Sequence, residues 1–442
     1  MTASKLCHKA LKGKWSIGEK LFSHVLGAMM MESSSTSTPM LSDPFREMLL
    51  AVDEEDLPER IRQCAEPLRG EPAFDPKLIE RLASKFQLPS GISFPHPMLE
   101  KVVRVGLAHI EATFRGDHPK YGTGAYADEI HDGFPPTIIA TVDALTLWGF
   151  MGRAKRLFSY WLNHFVNSDG TINYYGPAIS EYGQLLTTAK RLVSRSGDDG
   201  WLKQHEGKLA LIVNHLREKM HQEGERPSLL KGVPEADEHK REAIYFHNNA
   251  WVVRGFSDYA DLVEQALGRR SEAEKLRKDA LALRKLLLDA IEATWSKEPK
   301  DWWLPPMLEE HERPQGSVTS NRLGSYTNYR YWLELLSSGV LPRKLMRRLV
   351  RARLNGGGQF LGMTRFMGHL DDWTLMEYLD GLWKLGMRKD YLISLWGHIY
   401  FHQCEGHLTA YEQVTLPPGR KVADYCLPCQ LVAVRAIRRI VP

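Results

Sequence analysis

The chain has 442 residues, of which 43% are hydrophobic, so it can bury a large core. Its formal net charge of +4 is only mildly basic and does not indicate a nucleic-acid-binding protein. The five scattered cysteines favour free thiols in a reducing compartment over a disulfide framework, and a single CxxC, "CLPC", is weak evidence for zinc.

Residues 1–42 are expected to form a flexible segment. Residues 1–18 contain several lysines and no acid, and "LFSHVLGAMMM" after them is too short to span a bilayer. "ESSSTSTPM" then has the composition of a flexible linker. A weak targeting signal stays open here, but the pattern favours a cytoplasmic protein without a membrane partner.

Residues 43–96 are expected to add two or three helices, such as "DPKLIERLASKF", ahead of the main domain at 97–442. "TINYY", from Thr171 to Tyr175, is the strongest of a few short strand signals. We expect Ser180 and Asp199 to be helix N-caps and Gly268 to end a helix. Apolar periodicity predicts twelve helices in the main domain, near 97–115, 135–150, 153–167, 180–197, 199–223, 248–268, 271–295, 325–339, 342–355, 372–387, 389–403 and 424–440.

Short and long connections alternate between these helices. Six stacked helical hairpins produce this alternation, and they collect the long connections on one face. The sequence therefore predicts an all-α fold, an (α/α)6 toroid, with its functional loops at one end.

The first three long connections carry carboxylates and aromatic residues. Asp132, before a proline pair, is either a helix cap or a carboxylate that binds substrate hydroxyls. Tyr175 is suited to stacking on a sugar ring. In "GVPEADEHKREAIYFHNNAW", crowding of Glu235 and Asp237 raises a carboxyl pKa, as a general acid requires, although an exposed acidic loop would look similar. The same stretch continues to Trp251, another candidate for stacking.

The later connections add further candidates. Trp303 lies in a proline-rich loop, and Arg330 lies in "SYTNYRYW". "DDWTLME" has the start of a DDxxD magnesium–diphosphate motif, but Leu375 stands where the third acid belongs, so we expect no metal and no cofactor. "GHLTAYEQVTLPPG" supplies one more carboxylate. The remaining candidates in these loops are His369, Asp371, Trp373, Tyr411 and Glu412.

Twelve paired helices with acidic loops on one face resemble the six-hairpin glycosidases, whose glucoamylase-type members are the nearest functional analogue. The resemblance implies a general acid between the fifth and sixth helices, here Glu235 or Asp237. It implies a general base between the eleventh and twelfth, here Glu412 in "LTAYEQ", where the Thr stands one place away from the usual pattern. The implied function is an inverting glycoside hydrolase acting on an oligo- or polysaccharide.

Two departures from glucoamylases put starch in doubt: the Trp-flanked acid motif and a starch-binding module are both missing from the sequence. The substrate-binding candidates are Asp132, Tyr175, Trp251, Trp303, Arg330, His369, Asp371, Trp373 and Tyr411.

Two alternative functions stay open. A polysaccharide lyase or uronide-directed enzyme on the same barrel would use Tyr411, His407 and Arg330. A non-catalytic helical scaffold would be insensitive to changes at Glu235 and Glu412. A product with a new C=C bond, detected by ultraviolet absorbance, separates the lyase from the hydrolase.

Overall fold

A computed structural model describes residues 43–174, 178–222, 224, 226–235, 241–294, 302–310, 318–319, 322–416 and 419–442. Three short helices come first, namely α1 (Arg46–Leu50), α2 (Leu57–Arg62) and α3 (Pro76–Ala83). Asp75 caps α3, because its side chain accepts a hydrogen bond from the Lys77 N–H at 3.0 Å.

Twelve longer helices follow in the described part of the chain, and the order predicted from the sequence is confirmed. Helix α11 is continuous and contains a π-helical segment, Thr327–Tyr331, between two α-helical segments. Helix α14 likewise ends in a π-helical turn, His398–His402. The twelve are α4 (Pro97–Thr113), α5 (Pro135–Leu147), α6 (Met151–Phe165), α7 (Ile179–Ser196), α8 (Asp199–Met220), α9 (Phe246–Leu267), α10 (Arg270–Thr294), α11 (Arg322–Tyr326, Thr327–Tyr331 and Trp332–Ser338), α12 (Arg343–Asn355), α13 (Leu375–Leu385), α14 (Arg388–Gly397 and His398–His402) and α15 (Leu427–Ile437).

Alternate helices form a closed inner ring. Helices α5, α7, α9, α11, α13 and α15 each pack against the next one, and α15 packs against α5. The other six lie outside this ring. Residues Pro135–Thr146 of α5 are all buried, whereas outer helix α10 buries a single stripe of Ala, Leu and Ile at helical spacing. The hydrophobic pattern of each helix therefore determines its layer, and the chain is an (α/α)6 toroid.

The two ends of the toroid differ. Each short turn follows an inner helix, so each long connection runs into the N-terminus of the next inner helix. Gly268 ends α9 with a φ of 69°, as predicted. Two predicted N-caps are wrong by one or two residues: Ala178 precedes α7, and Asp198 caps α8 by accepting from the Trp201 N–H at 3.0 Å.

A small antiparallel sheet joins two of the long connections. Strands β1 (Gln359–Phe360), β2 (Met363–Phe366) and β3 (His369–Asp371) lie between α12 and α13, and β4 (Gln413–Thr415) lies between α14 and α15. Within β3 and β4, Asp371 pairs with Gln413. The predicted strand at "TINYY" is not formed over its described residues, where Ile172 makes only an isolated bridge to Val166.

Residues 43–96 pack on the toroid and share its hydrophobic core. Helix α3 contacts α4, while α1 and α2 contact α14. Arg46 of α1 donates to Asp390 of α14 at 2.5 Å. None of the helices in the described part of the chain is long and apolar enough to cross a membrane.

Candidate functional site

A cavity of about 90 Å³ opens at the end of the toroid where the long connections lie. Most of its wall is aromatic, and its acidic groups are Glu235, Asp371 and Glu412. The lining residues are Tyr121, Tyr126, His131, Phe134, Tyr174, Glu235, Tyr326, Tyr329, Arg330, Phe366, Asp371, Trp373, Glu412 and Gln413.

Glu235 and Glu412 reach this cavity from opposite sides of the ring. Glu235 lies in the connection before α9, and Glu412 lies in the connection before α15. Helices α9 and α15 are three positions apart in a closed ring of six, which is the largest separation that such a ring allows. Two carboxylates that are 177 positions apart in the sequence numbering therefore border one space.

A tyrosine holds the Glu412 carboxylate. The Tyr121 hydroxyl donates a hydrogen bond to Glu412 Oε2 at 2.8 Å. Burial and the neighbouring Cys426 and Glu412 hold the pKa of Tyr121 well above its usual value, so its hydroxyl stays protonated and donates at any ordinary pH. The half-buried Glu412 is thus oriented without being removed from the cavity.

Asp371 lies beside Glu412 because β3 pairs with β4. Its Oδ1 accepts from the Tyr329 hydroxyl at 2.8 Å and from the Trp373 N–H at 3.1 Å, and its Oδ2 accepts from the Gln413 amide at 3.0 Å. Burial, and then the charge of Glu412, raises the pKa of Asp371 well above its usual value. Three donors and one neighbouring carboxylate therefore fix the position of this side chain.

Arg330 lies at the floor of the cavity and binds three carboxylates. Its Nε donates to Glu334 at 2.8 Å, its Nη1 to Glu235 at 3.1 Å and its Nη2 to Glu181 at 3.1 Å. Arg330 belongs to the π-helical segment of α11. Short π-helical turns within α-helices are frequent at functional sites. The planar guanidinium matches these separate directions, which a lysine ammonium would not.

Aromatic rings form the cavity wall. Phe134 stacks on Trp373 with ring centroids 5.9 Å apart. The ring centroid of Tyr174 lies 5.2 Å from that of Phe134. The Arg330 guanidinium lies 5.1 Å from the Trp373 ring, within cation–π distance. This wall offers flat apolar faces beside polar groups, which is the composition of a small-molecule site.

The structure therefore brings together five residues that the sequence singled out: Glu235, Arg330, Asp371, Trp373 and Glu412. Asp237 and Tyr175 lie outside the described residues. The aromatic residues Tyr121, Tyr126, Phe134 and Tyr329 were missed as site residues, although the first three lie in the glycine- and proline-rich "YGTGAYADEIHDGFPP", a composition typical of binding loops.

The two other predicted tryptophans lie in the core. Trp303 is buried against Trp332, with ring centroids 5.0 Å apart. Trp251 is buried in α9, where its backbone carbonyl lies against Gly183 of α7. Neither borders the cavity.

Three further candidates also lie beside the cavity rather than in its wall. Asp132 accepts from Lys120 at 2.8 Å and from His118 at 2.6 Å, contacts that fix its loop. Tyr411 donates to the Glu71 carbonyl, and thus ties the Glu412 connection to residues 43–96. His369 shares a face of β3 with Asp371 but pairs with Phe366.

A larger cavity of about 560 Å³ lies between α3, α4 and residues 406–409. Its acids are Glu80 and Glu100, of which Glu100 is paired with Arg104 at 2.8 Å, and its His407 is hydrogen-bonded to Thr409 and to the Gly70 carbonyl. We place the candidate site at the smaller cavity. Of these two cavities, it is the one in which connections from opposite sides of the ring both supply carboxylates.

No group of three His, Cys, Asp or Glu side chains with the geometry of a metal site occurs among the described residues. Asp372 of the partial DDxxD pattern is fully buried and bonds to His398 Nδ1 at 2.9 Å and to the Thr364 N–H at 2.8 Å. It therefore points away from Asp371 and the cavity.

Comparison with solved structures identifies the architecture. A glycosidase variant aligns with a TM-score of 0.55 and 13% identity over 77% of this chain and 96% of the other. A glycosidase in complex with glucose aligns with a TM-score of 0.54 and 13% identity over 78% of this chain and 96% of the other. A bacterial glucoamylase complexed with acarbose aligns with a TM-score of 0.52 and 13% identity over 76% of this chain and 54% of the other.

No protein-family model and no curated protein matches the sequence. At 12–14% identity the structural likeness shows the fold alone, and that fold is the (α/α)6 toroid.

Proposed function

We propose that the protein is a glycoside hydrolase that cleaves an oligo- or polysaccharide with inversion, using Glu235 as general acid and Glu412 as general base. The observation that carries this proposal is the position of these two carboxylates, which border one cavity from opposite positions of the inner ring. The structural neighbours, which are named glycosidases, support the same class of reaction.

In the proposed reaction, protonated Glu235 gives its proton to the glycosidic oxygen as the bond to the anomeric carbon breaks. Glu412 takes a proton from water, whose oxygen forms the new bond to that carbon from the opposite face. Glu235 ends ionised and Glu412 ends protonated, and exchange with solvent restores both. The hydrogen bond from Tyr121 favours the ionised form of Glu412 and orients it toward the water.

The cavity supports recognition of one sugar unit by stacking and hydrogen bonding. Its volume of about 90 Å³ is small, and Trp373 and Phe134 provide apolar faces in its wall. Asp371 is buried beside Glu412 and is placed to form a hydrogen bond with a substrate hydroxyl. We therefore propose recognition of a terminal unit of a carbohydrate chain rather than of several consecutive units.

The uronide-directed alternative finds less support. Arg330 already donates to Glu181, Glu235 and Glu334, so its charge is offset before a substrate carboxylate arrives. Tyr411 and His407, the other groups that a lyase was expected to use, contact residues 43–96 instead. The geometry favours hydrolysis of a neutral sugar.

The test is a panel of oligosaccharides assayed with the wild type and with Glu235→Gln and Glu412→Gln. Each variant is expected to lower kcat by at least about 100-fold, the low end of acid–base contributions. Glu405→Gln, an exposed acid in the same connection as Glu412, is the matched control and should keep full activity. NMR of the first product anomer distinguishes inversion from retention, and hydrolysis unaffected by both variants would refute the proposal.

A further inference from the structure

Arg330 and its three carboxylates form a buried charge cluster, which consists of Arg330, Glu181, Glu235 and Glu334. All four side chains are at most 6% exposed. If every carboxyl were ionised, one positive charge would face three negative charges in a medium of low dielectric constant. Such an excess is costly, so the cluster must retain protons on some of its members.

The four residues come from three different parts of the ring. Glu181 is in the first turn of α7, Glu235 precedes α9, and Arg330 and Glu334 are one helical turn apart on α11. Since α7 and α11 both pack on α9, the guanidinium lies between the acid loop and its two flanking inner helices. Only Arg330 and Glu235 of the four also border the candidate site.

A general acid beside an arginine presents a physical problem. A guanidinium at hydrogen-bond distance favours the ionised form of a carboxyl and so opposes the protonated state that Glu235 needs. A second carboxylate on the same guanidinium offsets that effect. Glu334 is placed to do so, because it accepts at 2.8 Å from Nε, the shortest of the three contacts, and also from the Gln184 amide at 3.5 Å.

We propose that Glu334 alone balances the charge of Arg330, which leaves Glu181 and Glu235 protonated and keeps Glu235 available as the general acid. Glu334 and Glu181 are then positioning residues that act through Arg330 and do not touch the substrate. This inference rests on the proposed function for its catalytic consequence, whereas the protonation pattern holds independently of any substrate. The resulting cluster has one cation, one anion and two neutral acids, so its net charge is zero.

The surroundings of Glu181 agree with this charge assignment. Burial, opposed by Arg330 and assisted by the nearby Glu334, raises the pKa of Glu181 to about 8. Its Oε2 has no hydrogen-bond partner among the described residues, so no donor there stabilises an ionised carboxylate. Glu377, half-buried on α13, has its pKa raised to about 7 by desolvation, which Arg435 opposes and the nearby Glu334 assists.

The other titratable groups that the structure describes near the cluster are neutral or have partners of their own. Tyr245 and Tyr331 lie near Glu235, and burial raises the pKa of both phenols, so both stay neutral. His247 stacks on Tyr331, and burial lowers its pKa to about 4, so it is neutral at neutral pH. Arg435, which shares a small cavity with Glu181 and Glu334, is paired with Asp143 at 3.4 Å, and Asp143 also binds Arg191 at 2.5 Å. Across the cavity, Asp371 and Glu412 face each other rather than Arg330.

The first arm of the test is the pH dependence of kcat/KM on whichever sugar the panel identifies. Glu334→Gln keeps an oxygen for the Arg330 Nε but removes the charge. In Glu334→Gln, the alkaline limb of the kcat/KM profile is expected to shift to lower pH by about one to three units. This is the usual effect of an unopposed neighbouring cation on the pKa of a carboxyl. Glu181→Gln copies the protonated acid and should leave that limb unchanged below pH 8. Asp258→Asn is the matched control, because Asp258 also pairs with an arginine one turn away, Arg254, on an inner helix.

The second arm needs no substrate. Infrared spectroscopy at neutral pH should show that Glu181→Gln and Glu235→Gln each lose a protonated-carboxyl band, while Glu334→Gln loses a carboxylate band. Loss of a protonated band in Glu334→Gln, or an unmoved alkaline limb in a folded and active Glu334→Gln, would overturn the inference. If neither Glu235→Gln nor Glu412→Gln affects hydrolysis, the proposed function fails, and the infrared arm still decides the charge assignment.

Discussion

Tyr121→Phe isolates one hydrogen bond of the candidate site. The substitution removes only the hydroxyl that donates to Glu412 Oε2 at 2.8 Å and keeps the buried ring in place. That ring packs edge-on against Tyr126 at 4.9 Å and Phe134 at 5.3 Å, contacts that phenylalanine retains. The variant should therefore fold like the wild type.

The size of the effect follows from the kind of bond. A hydrogen bond to a charged group stabilises it by roughly 1.5–3 kcal/mol. Because this bond is strongest when the accepting oxygen is charged, its loss disfavours the ionised form of Glu412 more than the protonated form. One pH unit corresponds to about 1.36 kcal/mol. The acidic limb of kcat/KM is thus expected to move upward by about one to two pH units.

The assay is the full pH profile of kcat/KM for wild type and Tyr121→Phe, with thermal unfolding measured on the same samples. Tyr391→Phe is the matched control, because this buried tyrosine donates to the Ala436 carbonyl at 2.7 Å and is not among the residues that line the cavity. It should lose comparable stability without any change in the profile. An acidic limb that stays in place in a stable Tyr121→Phe would show that Glu412 is not the base that controls it.

Three further outcomes are expected. Trp373→Leu should raise KM by about tenfold with a smaller change in kcat, since about 1.4 kcal/mol of stacking is lost; an unchanged KM in steady-state kinetics would remove Trp373 from the sugar site. Tyr411→Phe loses its bond to the Glu71 carbonyl, so urea denaturation should show about 1 kcal/mol lower unfolding free energy with unchanged KM, whereas a direct role in sugar binding would raise KM. Glu181 holds its proton to about pH 8 in the folded protein and to about pH 4.5 in the unfolded chain, so its contribution to the unfolding free energy falls as pH rises through this interval. Glu181→Gln should make the unfolding free energy fall less steeply over this interval. A pH dependence identical to that of the wild type would contradict the raised pKa.

The local sequence was sufficient to predict the helices of this protein. Apolar residues at helical spacing, with glycine, proline and polar residues between them, are properties of short segments, and they predicted twelve helices in the right order. The order of helices in turn determines the position of each connection around the ring. Glu235 and Glu412 were therefore expected to face each other before any side-chain geometry was known.

Exact helix starts and the choice among aromatic residues were less predictable. Ser180 has the chemistry of an N-cap, but α7 begins at Ile179 because packing against α9 extends it. Trp251 and Trp303 have the same composition signal as Trp373, yet they are buried in the core. A single sequence does not distinguish a ring that lines a cavity from one that fills the space between helices.

The contacts that define the candidate site were decided by the tertiary structure. Asp371 meets Glu412 only because β3 pairs with β4, and strands of three residues leave too short a pattern to predict. The Tyr121–Glu412 bond and the ion pairs of Arg330 with Glu181 and Glu235 join residues from different hairpins. Such distances are set by closure of the inner ring, a property of all six hairpins together, so the sequence determined which residues approach the axis and the folded ring determined which of them touch.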